Sequence, residues 1–360
     1  SGKGWARKTV MKINKLKLTN FRNHKDLDIS FDENSTIIVG PNGIGKTNIL
    51  EAIHLLATTK SLRATYDREM IAHNEKHSRV DAEFNPNGDT KTLEMTLVKS
   101  DKFENKATKK VKIDKVNKSL NAFAGTINSV LFTPHDIEMV TASPSVRRKY
   151  LDLLFFQIDK EYKRAHSQYT RALRQRNKVL EKMRDLGVGR DELEYWTEKV
   201  LSTGSLLQAK RRMFFNFVQE NIQRHADDLN EDYISYQIEY DINEMSEARL
   251  EKYKDTELAA ARTLIGPHRD DFFINYNNFD VAKFGSRGQK RTTLLALKLC
   301  EIDFINENLG RRPILLLDDI FSELDEQHKE AVLNIVDLQQ TIITSADDLD
   351  INEKLLQIRL

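Results

Sequence analysis

Short stretches in which apolar and polar residues alternate fill the N-terminal part of the chain. Lys12–Asn20 and Leu27–Phe31 show this alternation, which is typical of strands with one buried face. Ser35–Val39 is a continuous β-branched apolar run and predicts a fully buried strand, and Ile49–Ala57 has helical spacing. Further strands are predicted at Val80–Phe84, Thr92–Val98, Lys109–Asp114 and Val130–Phe132, with a turn at Asn85–Gly88.

From about Val146 the apolar residues follow the helical spacing i, i+3, i+4 and i+7, and this pattern continues to Met183. It ends at Leu186–Gly189. A second helix is predicted from about Asp191, where an apolar residue recurs every seven positions at Leu193, Val200, Leu207 and Phe214. The middle of the chain is therefore predicted to be an antiparallel helical hairpin or short coiled coil within a compact lobe.

After Asp241 the chain returns to alternating strands and helices. The predicted order is thus α/β, helical insert, α/β. Residues 11–145 and 262–360 are expected to form one lobe with a mixed sheet, which the mainly helical lobe at 146–261 interrupts. The start at Met11 looks native, so residues 1–10 are expected to lie outside the natural chain.

Basic and acidic residues are nearly equal in number over the whole chain, but they are concentrated in different segments. It has 56 Lys and Arg against 55 Asp and Glu, a net charge of +1. Residues 147–212 contain 17 basic and 9 acidic residues, and residues 91–118 contain 9 and 4. Residues 301–360 contain 5 basic and 14 acidic residues. Charge runs are often ordinary solvated faces, so these segments become informative only beside other motifs.

Composition excludes several classes of protein. A single cysteine, Cys300, excludes an intramolecular disulfide framework and a cysteine-based zinc site, and favours a reducing cytoplasm. Runs of about 18 apolar residues, which a transmembrane helix needs, do not occur in the sequence. Ser1–Val10 has no apolar core and is not expected to act as a signal peptide.

A phosphate-binding loop follows the buried strand. Residues 40–47 read Gly-Pro-Asn-Gly-Ile-Gly-Lys-Thr and fit G-x-x-x-x-G-K-[ST], between a predicted strand and helix. Gly43 and Gly45 can take positive φ, which turns backbone N–H groups toward phosphate oxygens. Lys46 would reach the β- and γ-phosphates of ATP, and Thr47 would bind Mg²⁺. The predicted ATP-binding residues here are Gly40, Pro41, Asn42, Gly43, Ile44, Gly45, Lys46, Thr47 and Asn48.

A second motif, which is acidic, follows a predicted parallel strand near the C-terminus. Ile314–Leu317 is apolar throughout and is followed by Asp318 and Asp319, which places two carboxylates at the edge where ligands bind. Asp318 is predicted to act on Mg²⁺ and Asp319 to polarise the attacking water, so Asp319 and Lys46 are the expected catalytic pair. Thr341–Ser345 is predicted to be a neighbouring strand of the same sheet.

About 270 residues separate the loop from the acidic strand, and this split resembles ATP-binding-cassette ATPases of the SMC type. Ser286-Arg287-Gly288-Gln289 resembles their S-G-G-Q signature, with one glycine replaced by arginine. In that family the signature serine and its helix N-terminus bind the γ-phosphate held by a partner subunit. The resemblance assigns this trans role to Ser286, Arg287, Gly288, Gln289 and Lys290, and a D-loop role to Ser322 and Asp325.

Four further stretches resemble the RecF family of bacterial recombination-mediator ATPases. They are Asn20-Phe21-Arg22-Asn23, Pro134-His135-Asp136 with Arg147-Arg148, Gly266-Pro267-His268-Arg269-Asp270-Asp271, and the segment 317–325. The resemblance covers residues 11–360. It implies an ATP-binding-cassette head with a helical second lobe, and it adds Arg22 and Asn23 to the ATP-binding residues. Arg63 is a further candidate for a nucleotide contact.

This resemblance implies a function in DNA damage repair, replication and the SOS response. ATP would drive formation of a homodimer that clamps duplex DNA at gap junctions, and slow, DNA-dependent hydrolysis would release it. RecO and RecR would be partners, and the outcome would be help with RecA loading.

Three departures from the cassette pattern point to slow hydrolysis. Glutamine does not occur before Gln157, so His135 or Asp136 takes the Q-loop position. Asp319 stands where the cassette family typically has glutamate. The switch histidine is also missing, and Thr344 or Ser345 occupies its place.

The basic segments are the candidates for DNA contact, since backbone phosphates attract Lys and Arg. Aromatic platforms and base-reading motifs are absent from the sequence, which predicts contact without sequence preference. The named candidates are Lys102, Lys106, Lys109, Lys110, Arg171, Arg174 and Lys178, with Arg176 and Lys182 on the same helix.

Alternative functions remain open from the sequence alone. A motor or transporter ATPase would have an intact signature and a Q-loop glutamine. A structural SMC protein would need helices of hundreds of residues. A module in which ATP only stabilises the fold would bind DNA equally in every nucleotide state.

Overall fold

The computed structural model describes residues 11–86, 89–101, 106–229, 235–322, 324, 326–347 and 356–360. The strands are β1 Lys12–Phe21, β2 His24–Ser30, β3 Ser35–Val39, β4 His77–Asn85, β5 Lys91–Lys99, β6 Ala107–Ile113, β7 Val116–Lys118, β8 Ser129–Phe132, β9 Tyr236–Asp241, β10 Asp271–Tyr276, β11 Phe279–Asp280, β12 Ile314–Asp318, β13 Thr341–Ser345 and β14 Leu356–Arg359.

The helices are α1 Lys46–Thr58, α2 Leu120–Phe123, α3 Glu138–Thr141, α4 Pro144–Ile158, α5 Lys160–Leu186, α6 Arg190–Asp228, α7 Glu247–Ala260, α8 Val281–Phe284, α9 Arg287–Leu309 and α10 Glu326–Val336. Single turns of 3₁₀ helix occur at Asp67–Met70, Pro134–Ile137 and Ile320–Ser322. The chain forms two compact units. The first comprises the described residues of Ser1–Ile137, Arg224–Asp232 and Leu294–Leu360, and the second those of Glu138–Gln223 and Tyr233–Thr293.

The first unit is built from two sheets. One is antiparallel, in the order β2-β1-β4-β5-β6-β7, and the other is parallel, in the order β14-β3-β13-β12-β8. In the parallel sheet Val39 pairs with Ser345, and Thr344 pairs with Asp318. The carboxyl ends of β3, β13 and β12 therefore meet at one edge, where the phosphate-binding loop begins. The prediction that Thr341–Ser345 neighbours the acidic strand is confirmed.

Helix α1 is buried in the core that both sheets share. Ile49, Leu50, Ile53 and Leu56 are inaccessible to solvent, and they belong to one apolar cluster with residues of β1, β4, β5, β12 and β13. Burying such side chains stabilises the fold by about 2 kcal/mol each. This core fixes the helix that carries the end of the phosphate-binding loop.

The second unit contains the predicted antiparallel helical pair. Side chains on α5 and α6 meet in opposite chain order, since Lys182 contacts Glu192 and Arg176 contacts Thr197, whereas Tyr162 contacts Arg211. The helical run before Gly187 is two helices and not one. It breaks at Asp159, whose extended backbone ends α4 and whose carboxylate accepts the Tyr162 N–H as the N-cap of α5.

The predicted lobe limits stay a prediction, and the compact units have different limits. Residues 138–145 and 262–293, assigned from sequence to the first lobe, lie in the second unit. The physical reason is pairing, because β10 forms an antiparallel sheet with β9 and β11, and the Arg147 guanidinium binds Asp271. Because β9 and β10 are separated by 29 residues of other structure, local periodicity in the sequence did not predict that they pair.

Candidate functional site

The phosphate-binding loop connects β3 to α1 in the expected manner. Gly43 and Gly45 have φ values of 86° and 115°, so the predicted positive φ at both is confirmed. At Gly45 a Cβ atom would lie 2.5 Å from both Asn23 Oδ1 and His24 Nε2. Because real Cβ contacts are not that short, a side chain at position 45 would displace Asn23 and His24 from the loop, in addition to the strain of the positive φ.

Lys46 places its ammonium group inside the loop. Its side chain is mostly buried, and Nζ donates hydrogen bonds to the carbonyl oxygens of Gly40 at 2.5 Å and Pro41 at 3.2 Å. The loop thus holds a positive charge at the N-terminus of α1, where the helix dipole is also positive. Such an arrangement attracts a polyphosphate.

The acidic strand and the loop meet at one oxygen atom. Asp318 Oδ1 accepts hydrogen bonds from the hydroxyls of Thr47 and Thr344, each at 2.8 Å. Thr47 and Asp318 are 271 residues apart in the chain, and the parallel sheet brings them together. A hydroxyl and a carboxylate oxygen suit Mg²⁺, which takes few protein ligands and completes its shell with phosphate and water oxygens. These two residues therefore fit the predicted metal role.

Asp319 follows with an unusual backbone. Its φ is 50°, which is rare outside glycine, and its N–H bonds both the carbonyl and the hydroxyl of Thr344 at 3.1 Å. Ser322, a predicted D-loop residue, donates its hydroxyl proton to the Asp319 carbonyl at 2.7 Å. Thr344, one of the two candidates for the position of the missing histidine, therefore contacts both Asp318 and Asp319. Asp325 lies outside the described residues.

A chain of polar side chains supports the loop from outside. Asn23 Nδ2 donates to the carbonyl oxygen of Ile44 at 2.8 Å, and Asn48 Nδ2 donates to Asn23 Oδ1 at 2.8 Å. Arg63 NH1 donates to Asn48 Oδ1 at 3.3 Å. His24, which sequence reasoning missed, contacts the Gly45 carbonyl through Nε2 at 3.0 Å. The structure thus brings Asn23, Asn48 and Arg63 together beside the loop.

Arg22 is engaged within the protein. Its Nε and NH2 bind the two oxygens of Glu51 at 2.9 and 2.7 Å, and its NH1 donates to the Glu69 carbonyl. The Ser61 hydroxyl also donates to Glu51. Glu51 was not predicted from the sequence. Its position as a carboxylate within an apolar helix is the signal that could have identified it. The geometry makes Arg22 a support of α1, and its predicted nucleotide contact stays a prediction.

Of the two Q-loop candidates, Asp136 is buried and His135 is exposed. The Asp136 carboxylate accepts the Thr133 N–H at 2.7 Å. Burial raises the pKa of Asp136, while Lys298 and the Thr133 hydrogen bonds lower it and Asp318 raises it further. Asp136 is thus electrostatically linked to Asp318. Lys298 was missed, although it is a lone cation in the apolar run Leu294–Cys300 of α9.

The signature residues form the N-terminus of α9 in the second unit. Gln289 N–H donates to Ser286 Oγ at 3.2 Å, and Ser286 N–H donates to Gln289 Oε1 at 2.8 Å. These reciprocal bonds are a capping box, which fixes the first turn of a helix. Ser286, Arg287 and Gly288 are exposed and Lys290 is half-buried. The spacing of the signature therefore has a local structural reason.

The predicted DNA contacts divide by burial. Lys106, Lys110, Arg171, Arg174, Lys178 and Lys182 are exposed, and Lys102 lies outside the described residues. Lys109 is different, because its side chain is 5% exposed and Nζ binds the Thr59 carbonyl and Asp67. Arg176 is buried against Glu257 and Thr263. Neither Lys109 nor Arg176 is positioned to reach a DNA phosphate, because the charged group of each is buried and bound to partners inside the protein.

Clusters of three or more His, Cys, Asp or Glu side chains suited to a metal ion do not occur in the part of the chain that the structure describes. Helices long and apolar enough to cross a bilayer are likewise not found among these residues.

Known proteins resemble this chain over nearly its whole length. The family model of the RecF/RecN/SMC N-terminal domain matches residues 12–356. The DNA replication and repair protein RecF of Agathobacter rectalis is 37% identical over 338 residues, 93% of this chain and 92% of that protein. RecF of Bacillus cytotoxicus is 36% identical over 355 residues, with coverage of 93% and 92%.

Solved structures agree. A structure described as the recombination mediator protein RecF with ATP in the RecFOR pathway has a TM-score of 0.87 and 31% identity, and covers 96% of this chain and 94% of its own. An SMC head bound to the winged-helix domain of ScpA has a TM-score of 0.50 at 17% identity, with coverage of 93% and 90%, and supports the fold alone. The mixed α/β fold of a cassette ATPase head is confirmed, and the chain belongs to the RecF family of DNA replication and repair proteins.

Proposed function

We propose that this chain is an ATP-gated DNA-binding protein of recombinational repair. The observation that carries the proposal is the hydrogen bond of Thr47 to Asp318, which joins the phosphate-binding loop to the acidic strand. Lys46 and the backbone of the loop would bind the ATP phosphates, and Thr47 and Asp318 would hold Mg²⁺. The metal would neutralise charge on the β- and γ-phosphates. Asp319 would orient and polarise the attacking water.

Two copies would close on ATP. The exposed, capped N-terminus of α9 with Ser286 is proposed to bind the γ-phosphate held by a second copy, so that ATP becomes part of the dimer interface. Asp319 is shorter than glutamate, and its backbone is restrained by Thr344. Both features support slow hydrolysis that acts as a release switch.

DNA is proposed to bind through exposed cations immediately before β6, within β6 and on α5, namely Lys106, Lys110, Arg171, Arg174, Lys178 and Lys182. These residues offer charge without a base-reading arrangement, which suits duplex of any sequence at gap junctions. The related RecF structure is described within the RecFOR pathway. By that likeness RecO and RecR are proposed as partners, RecA loading as the outcome, and the SOS response and the cytoplasm as the setting.

The test is the affinity for a short duplex measured with no nucleotide, with ATP and Mg²⁺, and with ADP. We expect the ATP state to bind at least about tenfold more tightly and to contain a dimer in light scattering. Equal affinity in all three states would support a simple DNA-binding module instead.

Two variants separate the steps. Lys46→Arg should retain weakened ATP binding and lose turnover, because the charge remains but its position in the loop changes. Ser286→Arg should bind ATP as a monomer and fail to dimerise. A dimer that persists unchanged in Ser286→Arg would contradict the trans site.

A further inference from the structure

The turn formed by residues 266–271 is fixed by hydrogen bonds and buried ion pairs along most of its length. Gly266 has a φ of 118°, its N–H donates to the Asn243 carbonyl at 2.9 Å, and a Cβ there would collide with Met245 and lie 2.7 Å from Tyr169 Oη. The Pro267 carbonyl accepts a hydrogen bond from Arg211 at 2.8 Å. Hydrogen bonds therefore fix both the N–H of Gly266 and the carbonyl group of Pro267.

The middle of this turn is fixed by a neutral histidine. His268 Nδ1 lies 2.6 Å from Tyr169 Oη, and Nε2 lies 3.2 Å from the Thr263 carbonyl. Burial lowers the pKa of His268 to about 4, with Arg269 and Arg148 lowering it as well. The imidazole is thus neutral near pH 7, and it accepts from the phenol and donates to the carbonyl.

The last two residues of the turn bind buried arginines. The Asp270 carboxylate accepts hydrogen bonds from Gln208, Arg211, Tyr240 and the backbone of Asn243 at 2.5–3.1 Å. Asp271 forms a two-bond ion pair with Arg147 at 2.6 and 2.7 Å. Such pairs are costly to desolvate, so their number in one short turn indicates that its geometry matters.

Arg269 is the exception among these six residues. Its backbone N–H closes the turn on the Gly266 carbonyl at 2.8 Å, but its side chain is exposed. Within the described residues its guanidinium makes no hydrogen bond or ion pair. The carboxylates that follow it in the chain, Asp270 and Asp271, bind Arg211 and Arg147. Arg148 also acts on His268, so a second positive charge lies close by.

We propose that Arg269 binds a phosphate group, which belongs either to the backbone of bound DNA or to the ATP held by a second copy of the chain. A guanidinium on a rigid support loses little entropy on forming two parallel hydrogen bonds to phosphate oxygens. Because His268 is neutral, the positive charge beside it comes from Arg269 and Arg148. The inference rests on the proposed function only in taking DNA and ATP as the two sources of phosphate.

The experiment compares the wild-type chain with Arg269→Ala and Arg269→Lys in two arms. The first arm measures affinity for a short duplex without nucleotide over a series of NaCl concentrations. If DNA is the source, Arg269→Ala loses about tenfold in affinity, and the slope of log K against log salt falls by about 0.9. The second arm measures ATP-dependent dimerisation without DNA. If ATP is the source, Arg269→Ala stays monomeric and keeps its DNA affinity.

Arg269→Lys should retain part of either effect, because it keeps the charge and loses the two-bond geometry. Arg262→Ala is the matched control, an exposed arginine of the same unit outside the anchored turn. An Arg269→Ala chain equal to the wild type in both arms, or an equal loss in Arg262→Ala, would overturn the inference. A wild-type chain that binds neither DNA nor ATP would overturn the proposed function as well.

Discussion

The phosphate-binding loop at 40–47 and the anchored turn at 266–271 both depend on a glycine with positive φ, yet they are held in different ways. Two side chains, Asn23 and His24, contact carbonyl oxygens of the loop from one side. Buried ion pairs, by contrast, hold the turn. The loop, which is predicted to bind a ligand, is thus supported by a few hydrogen bonds at its surface. The turn, which presents one exposed side chain, is fixed by buried ion pairs whose removal should lower the stability of the fold. Changes in the loop should affect nucleotide binding, and changes in the turn should affect stability.

The largest effect is expected at Asp270. Asp270→Ala removes a fully buried carboxylate and leaves Arg211, Gln208 and Tyr240 without that acceptor. Removing one partner of a buried ion pair costs about 3–5 kcal/mol of unfolding free energy. Urea denaturation followed by circular dichroism measures the loss. Asp185→Ala, which removes an exposed carboxylate on α5, is the control and should change stability by less than about 0.5 kcal/mol. Equal values for the two variants would mean that the buried ion pairs of Asp270 do not stabilise the turn.

This contrast also explains what the sequence could predict. The loop, its flanking strand and helix, and the acidic strand are local patterns, and all were located correctly from residues 35–58 and 314–319. The meeting of Thr47 with Asp318 followed because parallel strands end at one edge. The helical pair was also readable from its heptad spacing, apart from the break at Asp159.

The anchors of the turn could not be predicted, because each depends on partners distant in the chain. Arg147 and Asp271 are 124 residues apart, and Arg211 and Asp270 are 59 apart. A pattern of polar positions assigns such residues to the surface, and the same error made Lys109 and Arg176 candidates for DNA contact. Burial of a charge is decided by tertiary pairing, which a single sequence does not display.

A matched pair of glycines tests how tightly the loop is confined. Gly45→Ala forces a Cβ against Asn23 and His24 in addition to a φ of 115°, and should cost about 2–3 kcal/mol of local strain. Gly43→Ala meets no atom within 4 Å and should cost only the backbone term of about 1 kcal/mol. Binding of a fluorescent ATP analogue should therefore weaken much more in Gly45→Ala. Similar losses would mean that the support from Asn23 and His24 does not restrict the loop.

The neutral histidine of the turn predicts a dependence of stability on pH. The folded pKa of His268 is about 4 and the unfolded value is about 6.5, so the unfolded chain binds the extra proton between these values. The stabilising contribution is present above pH 6.5 and is lost as the pH falls toward 4. Its loss between pH 7 and 5 amounts to about 2 kcal/mol. Unfolding free energies of the wild type and His268→Gln measured across this range should converge at low pH. His54 has a pKa of about 3 and contributes equally to both chains, so parallel curves would contradict the burial of a neutral His268.

The smallest effects are expected for two adjacent lysines of β6. Lys109→Ala removes a bond to the Thr59 carbonyl at the end of α1 and an ion pair with Asp67, and should cost about 1 kcal/mol of stability without changing the salt dependence of DNA binding. Lys110→Ala removes an exposed charge, and should leave stability unchanged while lowering the salt slope by about 0.9. Measuring both quantities on both variants separates a charge that supports the fold from one that meets DNA. If Lys109→Ala lowered the salt slope as much as Lys110→Ala, a buried and paired ammonium would still contribute to DNA binding, and the division of the basic segment by burial would fail.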